Sequence, residues 1–130
     1  MANRWSRPRH EELPLHALSD FPILEACHRT WRDSAVGDAL PSRVDPLDLP
    51  REGLPTVMML DLEPAPALLR VRLAGTEVCA KHGGELKGKT TDDFFEPEDA
   101  ALVVEAALAV AQSQRPSLAR RSYVSINGRV

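Results

Sequence analysis

The chain is short of the features that would take it out of the ordinary globular class. It has two cysteines in 130 residues, too few for a disulfide framework and in keeping with reduced, buried thiols. Long apolar runs are missing too: the longest uncharged stretch, 106–114, falls far below the roughly 18 residues of a membrane-spanning helix. Residues 1–10 lack the continuous apolar segment of a secretory signal, so cytoplasmic residence is the expectation. Nor does one sign of charge dominate. With 16 Lys and Arg against 19 Asp and Glu, the net charge of -3 provides no general field for nucleic acid or an anionic membrane surface. What is present is balance, 43 % hydrophobic and 27 % charged residues, which excludes a disordered tail, a collagen-like repeat and a membrane span. The length suits a single core.

Proline divides the chain, with nine of the eleven prolines at or before Pro66 and the long periodic segments after it. Residues 1–18 mix Arg4, Arg7 and Arg9 with Pro8 and Pro14 without a sustained period, which predicts a flexible extension followed by one domain over 19–130. From Ser19, a capping residue type, Ile23, Leu24, Cys27 and Trp31 recur at helical spacing, and Pro22 falls in the first turn, so a helix over 19–33 is expected. The connector that follows has room for one turn, capped by Asp45 and opened by Pro46. Residues 56–63 are apolar on both alternating sets, Val57 and Met59 against Met58, Leu60 and Leu62, as in a strand covered on both faces. After a turn at 64–66, Leu69, Val71 and Leu73 alternate with Arg70 and Arg72, which completes a hairpin. A short helix over 76–82 closes at Gly83, and a longer one starts at Pro97. In the latter Glu98 and Asp99 face the positive end of the dipole, Leu102, Val103, Ala106, Ala109 and Val110 form the apolar stripe, and Glu98, Glu105 and Gln112 mark the wet side. Arg115-Pro116 stops that helix, and 117–126 has strand composition before the turn signal Asn127-Gly128.

Residues Gly83-Gly-Glu-Leu-Lys-Gly88-Lys89-Thr90 satisfy the phosphate-loop pattern, and a nucleotide-binding protein is the alternative reading they open. The mechanism needs a buried strand before the loop and a helix starting at the lysine. Here a short helix precedes it, and Asp92, Asp93 and Pro97 follow. Cys27, His28, Cys79 and His82 carry metal-ligand chemistry, but adjacent helical residues diverge by about 100°, so two core-facing cysteines and two surface histidines, with no metal, are the expectation. Asp92 and Asp93 fit a solvated turn and helix cap better than a pair of catalytic acids. Arg70, Arg72, Arg120 and Arg121 fit solvated strand faces better than an anion site. No spacing supplies a nucleophile with its base.

Taken in order, helix, connector, hairpin, short helices, long helix and strand, the pattern resembles a PAS domain. Trp31-Arg32, Pro41-x-Arg43-x-Asp45-Pro46, Leu54-Pro55, Asp61, Arg72-Leu-Ala-Gly75-Thr76 and Gly83-x-x-Leu86-x-Gly88-Lys89 are similar to a bacterial family of small PAS-type proteins, over about 31–126. The resemblance implies an α+β fold, an antiparallel sheet with helices on one face, and a non-enzymatic sensory or protein-interaction module of bacterial signalling. In that family the Gly, Leu, Gly and Lys residues form a turn between short helices. Flavin and haem are not implied: the surroundings of Cys79 do not match the light-sensing motif, and 97–114 contains no histidine. No cofactor is expected. A cavity for a small apolar or amphipathic ligand would be lined by Met58, Leu60, Arg72, Leu73, Val78, Phe94, Phe95, Leu102, Val103, Ala106 and Tyr123; the same residues also fit a dry core.

A PAS sheet has five strands, and only three are countable here, so the C-terminal strands are expected to be missing and the native chain to continue beyond Val130 or to borrow a strand from a partner chain. A homodimer through Ile23, Leu24, Cys27 and Trp31 is expected to cover the open sheet face, with a signalling protein as a further partner and neither nucleic acid nor membrane.

Overall fold

The computed structural model describes residues 10–37, 39–41, 43–64 and 66–121. Its elements in chain order are β1 (His10–Leu13), α1 (Pro22–Asp33), β2 (Met58–Pro64), β3 (Ala67–Ala74), α2 (Thr76–Lys81), α3 (Pro97–Ser113) and β4 (Leu118–Arg121), joined by 3-10 turns at Leu15–Asp20, Pro46–Asp48, Arg51–Thr56 and Thr91–Asp93. Helices with small antiparallel sheets make the α+β class expected. Four strands stand among the described residues, in two separate antiparallel pairs, β1 with β4 and β2 with β3.

Residues 10–18 of the expected extension carry structure. Glu11 stands opposite Arg120 and Leu13 opposite Leu118, so opposite charges and apolar groups match along the β1–β4 pair. Pro14 then ends the strand, and Leu18 folds inward to 7 % exposure. The helix expected from Ser19 begins at Pro22 instead. Proline has no N–H to leave unsatisfied in a first turn and holds the preceding Phe21 extended, at φ -130° and ψ 79°. Ser19 caps nothing in that helix; its hydroxyl donates to the His16 carbonyl at 3.1 Å and tightens the turn before it. At the other end, Ser34 Oγ donates to the Trp31 carbonyl at 2.6 Å.

Asp45 caps the turn at Pro46–Asp48 as its residue type requires, accepting from the Leu47 N–H at 2.9 Å. The turn at Arg51–Thr56 delays β2 by two residues relative to the expected start at Thr56, whose hydroxyl donates back to the Gly53 carbonyl at 2.9 Å. Within the hairpin the register shifts between Met59 and Leu60: Met59 faces Leu73, Leu60 faces Val71, and Arg72 is the extra residue. Leu69 and Val71 point inward at 4 % and 1 % exposure, and Arg70 stays outside.

The centre of the core is Val71, Leu86, Phe94, Phe95 and Ala100, with Met58, Leu60, Val78, Cys79 and Val103 packed against it. Each large side chain buried there is worth roughly 1.5–3 kcal/mol of transfer free energy. His82 belongs to this core as well, 1 % exposed, with its ring 5.0 Å from that of Phe94 and 5.4 Å from that of Phe95. The expectation of surface histidines is therefore corrected, because the Phe94-Phe95 segment folds back over the end of α2. Cys27 and Cys79 are half-buried. On α3, Glu98, Glu105 and Gln112 are exposed as expected, but so is Ala109, while Ala100 and Asp99 of the first turn are the buried residues. The helix stops at Gln114 in a left-handed conformation, φ 56°.

Candidate functional site

The hairpin, α1, the connector and α3 leave a cleft between them. One cavity of about 480 Å³ lies between Leu24, Cys27, His28 and Trp31 of α1, the connector residues Pro41, Arg43 and Val44, and the β2 side chains Met58 to Leu60, with Arg72, Val110 and Ser117 also on its wall. A second, of about 660 Å³, shares Trp31, Pro41, Leu60, Val110 and Ser117 with the first and continues along α3 past Val103, Ala106 and Ala107 to Arg121. Both volumes lie within the range of small-molecule sites, roughly 300–1,000 Å³. The walls are mainly apolar, and their polar groups are Cys27, His28, Arg43, Arg72, Gln114, Ser117 and Arg121. Gln114 holds the connector to the end of α3, its Oε1 accepting from the Leu40 N–H at 3.1 Å and its Nε2 donating to the Ala111 carbonyl at 2.7 Å.

Of the residues expected around a cavity, Met58, Leu60 and Arg72 lie on the first, and Leu60, Val103 and Ala106 on the second. Phe94, Phe95 and Val78 are elsewhere, in the packed core around His82. Leu73 stands opposite Met59 in the hairpin, and Leu102 is half-buried on α3. Tyr123 lies outside the described residues, as does the turn signal Asn127-Gly128. Of the α1 residues expected at a dimer interface, Leu24, Cys27 and Trp31 border the cleft, while Ile23 is 49 % exposed. Sequence reasoning missed His28, Pro41, Arg43 and Val110 as wall residues. The last belonged to a recognised stripe, Pro41 and Arg43 belonged to a motif of the family resemblance, and nothing local marks His28.

Burial governs the ionisable groups of the cleft. The Cys27 thiol is pushed up by desolvation, and the His28 imidazole is pushed down by desolvation and by the neighbouring Arg32. His28 Nε2 is buried without a hydrogen-bond partner among the described residues. Arg72 reaches across the hairpin to Asp61, with Nη2 at 2.6 Å and Nε at 3.2 Å from the same carboxylate oxygen. Next to it, Arg70 donates to Glu63 at 2.7 Å, and this contact raises its pKa. Burial lowers that of Arg121.

The phosphate-like pattern at 83–90 is a different kind of object. Its N–H groups are already committed: Gly84 to the Cys79 carbonyl at 2.9 Å, Leu86 and Lys87 to Glu85 Oε1 at 3.1 and 2.9 Å, Gly88 to the Val71 carbonyl at 2.8 Å, Lys89 to the Leu86 carbonyl at 2.9 Å, and Thr90 to Asp93 Oδ2 at 2.8 Å. Helix α2 runs into the loop, and a 3-10 turn with a reciprocal Thr90–Asp93 capping box leaves it. A phosphate would have to displace these bonds, and no helix dipole points at it. The loop instead closes the outer edge of β3, since Val71 also donates to the Lys89 carbonyl at 2.8 Å. Among the described residues, no group of three or more His, Cys, Asp and Glu side chains is gathered as a metal site would need.

Sequence pieces that are separated along the chain meet in space. Gly75 packs on Leu54-Pro55, Arg72 pairs with Asp61, Trp31 and Pro41 share the cleft, and Gly88-Lys89 bonds to β3. No curated protein and no solved structure matches the chain. The PAS domain family matches residues 20–129, most of the sequence. The chain, with its hairpin, short helices and long helix α3, belongs to the PAS domain family.

Proposed function

We propose that the protein is a signalling sensor without catalysis of its own, which holds a small apolar or amphipathic molecule in the cleft between the β2–β3 hairpin, α1 and α3 and passes its occupancy on through α1. PAS domains in general are sensory or interaction modules. The observation that carries the finer reading is the cleft itself, two adjoining cavities of about 480 and 660 Å³ that share Trp31, Leu60 and Val110 and have mainly apolar walls. Trp31 and Cys27 of α1 form part of that wall, so a molecule seated there touches the helix directly. The start of α1 presents Phe21, Ile23 and Leu24 to solvent at 36 %, 49 % and 47 % exposure, which supports a second copy of the chain as its partner and a homodimer as the working form. A cytoplasmic setting and a downstream signalling protein complete the reading.

Amide NMR spectra of the purified protein, titrated with the low-molecular-weight fraction of a cell extract, test it. The expected result is saturable shifts at Trp31, Leu60 and Val110 with the Phe94-Phe95 core unmoved. Spectra that do not respond to any fraction would overturn the ligand reading.

A further inference from the structure

The cleft has a charge pattern opposite to that of the chain. The protein carries a net charge of -3, yet the cations Arg43, Arg72 and Arg121 line the two cavities and, among the described residues, no Asp or Glu does. In the first cavity the balance can be counted. Arg72 is offset by Asp61, which binds its Nε and Nη2 and leaves Nη1 without a partner among the described residues. Arg43, on the connector, has no acidic partner among them. The surplus is one positive charge; His28 lines the same cavity, and its buried Nε2 has no hydrogen-bond partner among the described residues. The remaining wall, Trp31, Leu60, Val110 and their neighbours, is apolar.

From this placement we infer that the cleft takes an amphipathic monocarboxylic acid, with its apolar body against Trp31, Leu60 and Val110 and its carboxylate on Arg43 and the free face of Arg72. The inference rests on the ligand reading above and sharpens it. A guanidinium fork matches a carboxylate in geometry. One surplus charge suits one carboxylate; a phosphate dianion would leave a negative charge uncompensated against apolar walls.

Trp31 lies on both cavities and serves as the reporter. In a Trp5→Phe background, its fluorescence would be titrated with decanoate, decanol and decyltrimethylammonium, each below its micelle concentration. The expected result is saturable binding of decanoate roughly tenfold tighter than decanol, with the ammonium weakest. Arg43→Gln should abolish the preference for the acid and leave decanol binding in place. Equal or tighter binding of decanol in the parent protein, or an acid preference that survives Arg43→Gln, would overturn the carboxylate assignment while the ligand reading stood. Failure of all three probes to bind would overturn both.

Discussion

Gly75 sits where two stretches of backbone nearly touch. A Cβ built on it would lie 2.2 Å from the Leu54 carbonyl oxygen and 2.3 Å from that of Pro55, and rigid backbone cannot move aside as a side-chain tip would. The contact is needed because α2 leaves β3 directly over the turn at Arg51–Thr56, held by the Gly75 N–H bond to the Val57 carbonyl at 2.8 Å. Gly75→Ala should therefore cost about 1–3 kcal/mol in urea denaturation, the range of an overpacked core site, and an unchanged midpoint would contradict the packing described. His82 makes a second residue-scale prediction. Burial first, and Lys81 second, lower its pKa below the usual 6.5. The folded state then binds its proton less readily than the unfolded state. Stability is undiminished above pH 6.5 and falls as pH drops below that value toward the folded-state pKa. His28 acts in the same direction. Melting temperatures from pH 7 to pH 5 should fall less steeply for His82→Leu than for the parent, and parallel curves would contradict the buried placement.

The elements differ in how far the sequence foretells them. Helix α3 and the β2–β3 hairpin are legible because their signals are local: Pro97 with two acids in the first turn, and Leu69, Val71 and Leu73 alternating with arginines. Strand β1 is not legible, since His-Glu-Glu-Leu has no strand alternation and gains its conformation from β4, more than a hundred residues away along the chain. The same holds for His82, whose burial comes from the fold-back of Phe94-Phe95 rather than from its neighbours in α2. Part of the cleft was legible, on the hairpin and α3, because amphipathic patterns show which side chains face inward. The connector residues Pro41 and Arg43 follow no period, and only tertiary packing brings them to the wall. The loop at 83–90 shows that a motif can match while its surroundings decide its role. Lys89 contributes backbone bonds there and an exposed side chain. Lys89→Ala should change stability by less than about 0.5 kcal/mol, whereas Asp93→Ala, which removes the cap on the Thr90 N–H, should cost about 1 kcal/mol. Chemical denaturation of the two variants checks this, and a larger loss for Lys89→Ala would give its side chain a role the bonding pattern does not.

At the scale of the molecule, the chain is a PAS domain with two small sheets, a packed centre around Phe94 and a cleft beside it. Among the described residues no helix is long and apolar enough to cross a membrane. The proposed dimer predicts that sedimentation finds two copies and that Ile23→Glu combined with Leu24→Glu releases monomers that keep their helical content. A parent protein that sediments as a monomer would contradict it. The proposed signal transfer through α1 requires the cleft to be a site that is filled and emptied. Native mass spectrometry of the protein purified from cells tests it most directly. The expected result is a discrete added mass that disappears under denaturing conditions and in Val110→Trp, whose indole would occupy the space shared by both cavities. The bare polypeptide mass in every preparation, with Val110→Trp no different from the parent, would contradict it.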